Sequence, residues 1–349
     1  MADEADPFPA VSYVMPVLNE SGYVDTAIRS VLDQDYRGAK ELVLALGPSN
    51  DGTTETVLAL AAADTRIRTV ANPDADIPAG LNLAIRASIN PIVVRVDAHS
   101  ELEVDYTAAA VATLQRTGAA NVGGVMLARG RTAFQRAVAR AYNSPFGLGG
   151  ARYHGGAKEG PAESAYLGVF RREALEGAGL FDETIRRGED WELNLRIRDA
   201  GGIVWFDPKL TVTYWPRENW AKLARQFFAT GVWRAELVRR IGGRNPWRFF
   251  APPLLVLSLI AGVVVGVLQL TGVLHGRLGL AASIVYLPAI LYLLLVLWVS
   301  LTQDAVKPWR ERWLFLVVLP TMHLSWGAGF IVGIIRGARG INDTSRTEI

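Results

Sequence analysis

Three uncharged stretches, residues 249–274, 278–301 and 313–335, occupy the end of the chain and constrain its fold more than anything else. A helix needs about 20 apolar residues to cross a bilayer. In hydrocarbon, backbone polar groups can pair only within a helix or a closed barrel, so runs of this length predict three transmembrane helices over 249–337. Trp247, Trp298, Trp309 and Trp313 stand near the ends of the runs, where interfacial aromatics collect. The third run carries one histidine, His323, expected to pack against Trp326 or to face a neighbouring helix. So little polar lining argues against a channel or transporter.

The region before residue 248 is that of a globular domain, long enough to bury a full core. Residues 1–10 are acidic and hold two prolines. They lack the basic start and apolar centre of a signal peptide, so the N-terminal domain is expected on the cytoplasmic face of the plasma membrane. Lys307, Arg310 and Arg312, in the loop 302–312, agree with that orientation. Three crossings would then place the polar tail 338–349 outside, against which Arg336, Arg339 and Arg346 speak. A net charge of +2 gives no reason to expect a nucleic-acid partner. The chain has no cysteine, which excludes disulfides, thiolate metal sites and a cysteine nucleophile.

Short apolar runs alternate with helical spacing through the first hundred residues. Strands are expected at 11–15, 41–46, 67–70 and 91–96, and helices at 22–32, 53–63 and 78–88. That alternation predicts a parallel sheet with helices on both faces. Ligands of such sheets bind beyond the carboxyl ends of the strands. Asn19, Glu20, the turn 47–52 and Asp97 fall there and are expected to converge. Further on, helices are expected at 105–117, 132–142 and 189–200, and strands at 121–127, 165–170 and 203–206. The glycine-rich stretch 145–160, with Arg152, His154 and Lys158, reads either as a surface loop or as a lid over a site. Residues 219–241 form a basic amphipathic helix, suited to the membrane interface or to packing on the domain.

Two motifs carry candidate chemistry. Asp97-Ala-His99 directly follows an apolar strand. Strand alternation would turn both side chains toward one cleft, where carboxylate and imidazole suit Mn²⁺ or Mg²⁺ completed by phosphate oxygens. The alternative is a plain strand end with a helix cap from Ser100. Glu189-Asp190 opens a helix, so Asp190 is either its N-cap or a general base, with Glu189 as second choice. Residues 225–234 could hold a diphosphate from the opposite side and stack on an acceptor, arginine being suited to phosphate by its forked donors.

Val14-Met-Pro16-Val-Leu-Asn19-Glu20, Asp51-Gly-Thr, Ala79-Gly-Leu-Asn82, Asp97-Ala-His99, Gly188-Glu189-Asp190-Trp191 and Gln226 through Trp233 stand in this order along the chain. In that order they resemble family-2 glycosyltransferases. Phe181-Asp-Glu, Leu193-Asn-Leu-Arg-Ile-Arg, Ala200-Gly-Gly and His323-Leu-Ser-Trp-Gly-Ala-Gly-Phe resemble the membrane-bound, succinoglycan-biosynthesis-type branch. The resemblance implies an α/β GT-A, Rossmann-like catalytic domain over 11–215. An amphipathic interfacial region, 216–248, and the three transmembrane helices would follow. It implies a metal-dependent, inverting transfer from a nucleotide sugar; with the membrane helices and basic helix 219–241 beside it, the expectation is a hexose moved from a UDP-sugar to a polyprenyl-linked acceptor. Pro16, Asn19, Glu20, Asp51, Asn82 and Asp97 would border the donor, Asp97 and His99 would hold the metal, and Asp190 would be the base. Gln226, Trp233 and Arg234, with Trp191, would serve the acceptor or diphosphate, although the Arg-Trp order is reversed from the family's. Leu46 stands where relatives place the aspartate that reads the base, which leaves Asp51 as a substitute. Two other readings stay open: direct transfer to polyprenyl phosphate, and a non-catalytic nucleotide-sugar-binding scaffold.

Overall fold

The structure, a computed structural model, describes residues 6–148, 158–242, 247–302 and 309–340. In chain order the strands are β1 (Val11–Val17), β2 (Lys40–Leu46), β3 (Ile67–Ala71), β4 (Ile92–Arg95), β5 (Ser100–Leu102), β6 (Asn121–Ala128), β7 (Gly160–Pro161), β8 (Tyr166–Arg171) and β9 (Val204–Tyr214). The helices are α1 (Val24–Leu32), α2 (Thr53–Ala63), α3 (Ile77–Ala87), α4 (Tyr106–Thr117), α5 (Ala133–Tyr142), α6 (Arg172–Gly177), α7 (Glu189–Asp199), α8 (Trp220–Ile241), α9 (Ala251–Leu270), α10 (Gly276–Ala282), α11 (Leu287–Thr302) and α12 (Trp309–Arg336). They group into two compact units, one holding the chain up to Arg129 and from 158 to Trp215, the other holding 130–148 and the chain from Pro216. α5 groups with the C-terminal helices, although it lies within the stretch 11–215.

In the first unit a sheet runs in the order β3-β2-β1-β4-β8-β6-β9-β5, with β7 on β9. The first four strands are parallel, as the alternation of strands and helices requires. The sheet as a whole is mixed, because β8 joins β4 and β6 antiparallel. It is buried on both faces. Val11, Tyr13, Met15 and Val94 pack with α1, α2 and α4 on one side. Val14, Val43, Val93 and Phe170 pack with α3, α6 and α7 on the other. The side-chain period of two separates these sets along each strand, so neighbouring residues serve different cores.

In the second unit three helical stretches, Arg248–Leu270, Gly276–Thr302 and Glu311–Arg336, are long and apolar enough to cross a membrane. The middle one, expected as one span, is built from α10, a single 3₁₀ turn and α11. The third is the least exposed of them within the unit. α8 accounts for part of that cover: it runs parallel to α12. A Cβ on Gly231 would lie 2.0 Å from the Trp326 carbonyl, and one on Gly329 2.1 Å from the Phe228 carbonyl. Only hydrogen fits in a contact that close. Leu223, Val232 and Leu237 are fully buried on α8, worth about 1.5–3 kcal/mol each. α8 is thus a packed member of the helical unit rather than a helix lying alone in an interface.

Polar contacts tie α5 to the same unit. Arg136 pairs with Glu311 at 2.6 Å, and Arg140 donates to the Val299 carbonyl at 2.9 Å with its guanidinium 4.3 Å from the Phe315 ring. His323 faces α11 as expected: Tyr292 Oη lies 2.9 Å from Nδ1, and Nε2 lies 2.8 Å from the Phe146 carbonyl. A carbonyl oxygen can only accept, so Nε2 carries the hydrogen and Nδ1 accepts from the tyrosine. Arg152 and His154, of the stretch read as a surface loop or a lid, the loop residue Lys307 and the tail residue Arg346 lie outside the described residues.

Candidate active site

The loops after β1, β2 and β4 meet at the carboxyl end of the parallel strands. Asn19 sits at φ 52°, a left-handed conformation that asparagine tolerates. Its N–H donates to Ser49 Oγ at 3.0 Å, while its Oδ1 accepts from the Asn50 N–H at 3.0 Å. The Glu20 N–H donates to Thr53 Oγ1 at 2.8 Å, and the Ser21 N–H to Asp51 Oδ2 at 3.1 Å. Burial works against the ionised form of Asp51, but hydrogen bonds from Thr53 and Ser21 outweigh it and hold the carboxyl below its usual range. The expected convergence of Asn19, Glu20 and Asp51 is therefore present.

Asp97 and His99 depart from the expected strand alternation. Strand geometry ends at Arg95, and the Ser100 N–H closes a turn on the Asp97 carbonyl at 2.9 Å. In a turn, side chains two apart no longer share a face. Asp97 looks toward Arg95, while His99 Nδ1 lies 3.4 Å from Glu20 Oε1, with its ring edge-on to Tyr214. Ser100 caps no helix; it begins β5.

The centre of the site is a residue to which sequence reasoning gave no role. Arg95 is the last residue of β4 and is 4% exposed. Nη2 donates to Asp97 Oδ1 at 3.3 Å and to Glu189 Oε1 at 3.1 Å, and Nη1 pairs with Asp190. Burial opposes its charge, but Asp97 and Glu189 outweigh that and raise its pKa above the ordinary value. A buried charge stripped of its partner costs about 3–5 kcal/mol, so these contacts fix the turn at 97 against the start of α7. One signal was available: an arginine inside Ile-Val-Val-Arg must find carboxylates.

Gly188 delivers those carboxylates. It precedes α7 at φ 78°, a left-handed conformation that a Cβ disfavours. Asp190 is therefore not the N-cap but lies in the first turn, where the helix dipole favours negative charge. Its side chain is 29% exposed, against 9% for Glu189. Asn194 anchors α7 to β6 by accepting from Asn121 Nδ2 at 2.7 Å. Asn82, expected at the donor, takes a different part. It is buried, and its amide exchanges hydrogen bonds with the Phe181 backbone at 2.9 and 3.0 Å. The Phe181 ring lies 5.8 Å from the Arg95 guanidinium, so Asn82 supports the site from beneath. Trp191 is buried within α7. Pro16 lies near α3, its Cβ 3.2 Å from a Cβ built on Gly80.

Comparison with known proteins gives the family. The family described as Glycosyl transferase family 2 matches residues 12–179. The succinoglycan biosynthesis protein ExoA of Rhizobium meliloti (strain 1021) is 30% identical over 91% of this chain and 92% of its own. The chain belongs to glycosyltransferase family 2. A dolichyl N-acetyl-alpha-D-glucosaminyl phosphate 3-beta-D-2,3-diacetamido-2,3-dideoxy-beta-D-glucuronosyltransferase of Methanococcus voltae is 22% identical over 94% of this chain and 98% of its own. The solved mannosyltransferase PcManGT of Pyrobaculum calidifontis, in complex with GDP-Man and Mn2+, shares the fold. Its TM-score is 0.58 at 20% identity, over 94% of this chain and 88% of that one. The glycosyltransferase thus has a GT-A fold with three apolar helices after it.

Among the described residues no group of three His, Asp or Glu side chains is placed to hold a metal ion. The Asp97 carboxylate suits a hard cation, whereas the His99 imidazole is a softer donor that faces Glu20. Asp97 is 18% exposed and His99 5%. An ion there would take most of its ligands from the substrate. Gln226, Trp233 and Arg234 lie on α8 in the second unit. Gln226 Oε1 accepts from Tyr142 Oη at 3.4 Å, Trp233 is buried, and the Arg234 guanidinium lies 4.2 Å from the Phe249 ring. A buried Trp233 has no face to offer an acceptor, which corrects the stacking expectation.

Proposed function

We propose that this glycosyltransferase moves a hexose, with inversion, from a nucleotide sugar to a polyprenyl-linked saccharide at a membrane surface, in cell-surface polysaccharide or glycolipid synthesis. The observation that carries the reading is the gathering of Asp97, Glu189 and Asp190 on one buried guanidinium beside the strand-end loops. Asp190 is the carboxylate with access and takes the proton from the acceptor hydroxyl. The acceptor oxygen attacks the anomeric carbon opposite the diphosphate. The bond to the diphosphate breaks, and its electron pair leaves with the nucleotide. Asn19, Glu20 and Asp51 border the nucleoside, and Pro16 lies at the same strand end. Asp97 would hold Mn²⁺ or Mg²⁺ together with the phosphates, with His99 of the same turn directed instead at Glu20; the cation would neutralise charge on the leaving group. The names of the two curated relatives support the synthesis of lipid-linked or extracellular saccharide. The three apolar helices support multi-pass anchoring, and the basic loop residues Lys307, Arg310 and Arg312 support a catalytic domain on the cytoplasmic side of the plasma membrane.

With Asp190 as base the reading takes a hydroxyl acceptor rather than polyprenyl phosphate, which is already ionised. The test is transfer by purified protein in detergent from a panel of UDP- and GDP-sugars, with Mn²⁺, to a polyprenyl-diphosphate-linked sugar and to polyprenyl phosphate. A lipid-linked product whose new glycosidic bond survives mild acid, and whose formation stops with EDTA, is the expected result. An acid-labile monosaccharide phosphate would replace the acceptor assignment. Transfer that persists in EDTA would remove the metal.

A further inference from the structure

The carboxylates of the site share one partner, Arg95. It ends a strand that is otherwise Ile92-Val-Val and places its guanidinium on the side occupied by α3, α6 and α7. An arginine there must be matched by charge, and three carboxylates surround it. Two of them, Asp97 and Asp190, reach solvent, whereas Glu189 is nearly closed off. The three come from segments more than ninety residues apart, and Asp97 lies on a turn that no longer belongs to the sheet. The guanidinium links that turn to the first turn of α7. Its planar fork fixes direction as well as distance, which an ammonium cannot do.

The charges also add up to a function. Around Arg95 itself, three carboxylates and one guanidinium leave two negative charges. Without the arginine the same floor would carry three, and would repel both the bound diphosphate and its own members. We propose that Arg95 is the positioning residue of the transfer site: its fork sets the placement of Asp97 relative to Asp190 and lowers the negative charge of the floor on which a cation and the diphosphate would sit. This rests on the transferase reading above. Arg95 does not touch the reacting atoms; it acts through the two carboxylates that do.

The test uses the full chain in detergent, with Arg95→Lys, Arg95→Met, the compensated pair Arg95→Met/Glu189→Gln, and Asp190→Asn. Misplacing catalytic groups by an ångström costs about a hundredfold in rate. Arg95→Met is expected to lose turnover on that scale while the donor KM stays within about threefold. Arg95→Lys, which keeps the charge and loses the fork, should stay folded and recover only part of the rate. Manganese binding to the UDP-saturated protein, followed by the EPR signal of free Mn²⁺ against a control with UDP alone, should tighten in Arg95→Met because a positive neighbour of Asp97 has gone. The double variant should fold and remain slow. Wild-type turnover in Arg95→Lys overturns the fork. Recovery of turnover in the double variant reduces Arg95 to a counter-charge for Glu189 and overturns its positioning role. Manganese affinity that falls with turnover would show that the arginine only keeps the turn built, and overturns the proposal as well. Active Asp190→Asn is the separate failure of the transferase reading, whatever the arginine variants do.

Discussion

Replacing Asp190 by asparagine separates chemistry from architecture, and the structure sets both magnitudes. The asparagine side chain is nearly isosteric with the aspartate and would keep an oxygen toward Arg95. Asp97 at 3.3 Å and Glu189 at 3.1 Å would still balance the guanidinium. One hydrogen bond weakened among three costs about 1 kcal/mol, which lowers the melting temperature of a domain of this size by about 2–4 °C. Activity should respond differently. A general base contributes about 10²–10⁴-fold, or roughly 3–5.5 kcal/mol of barrier at 1.36 kcal/mol per tenfold. The assay is single-turnover transfer from a labelled nucleotide sugar to a polyprenyl-linked acceptor, with thermal unfolding measured on the same preparation. A turnover within about threefold of wild type would refute the base assignment, since no general base is worth so little. A fall of tens of degrees in melting temperature would instead assign the carboxylate to the fold.

Three further outcomes follow from single contacts. Gly188→Ala forces a Cβ into φ 78°, so it should cost about 1–2 kcal/mol and slow turnover more than it raises donor KM. An unchanged melting point would show that the turn into α7 relaxes freely. Gly231→Val places a side chain against the Trp326 carbonyl, where a Cβ alone would lie at 2.0 Å; overpacking of this kind costs about 1–3 kcal/mol or more, read as a lower melting temperature in detergent. Equal stability would mean that α8 and α12 do not pack through this glycine. Asp51 is held below the ordinary carboxylate range near pH 4, its hydrogen bonds outweighing its burial. Its stabilising share is therefore fully present above that range and disappears as pH falls through the lowered value. Wild type should exceed Asp51→Asn in stability at neutral pH and lose that margin in acid; a margin independent of pH contradicts the shift.

The first half of the fold was legible because β1, β2 and β4 are covered on both sides and so read as unbroken apolar runs. Strands of two or three residues, β5 and β7, leave no such pattern. β9 continues past its expected end at Phe206 through Asp207-Pro-Lys209, where composition reads as a loop. The motif residues were legible as chemistry but not as geometry. Asp97 and His99 part company because the chain turns at Ser100, and strand alternation cannot anticipate a turn. Arg95 was hidden by its setting, a charge inside an apolar strand, and Asn82 by its type, since a buried amide and a ligand-binding one look the same in sequence. The basic helix was recognisable as α8, but the pairing of Gly231 with α12 is visible only once both backbones are in place.

The central claim is that Asp97 and Asp190, joined through Arg95, flank one nucleotide-sugar diphosphate. The most direct measurement is an experimental structure of the full chain with UDP and Mn²⁺, the ion located by its anomalous scattering. The expected result is manganese bound to Asp97 and the diphosphate, with the Asp190 carboxylate facing the same space. Nucleotide and metal bound elsewhere, or an Asp190 side chain that opens onto a different surface, would contradict it.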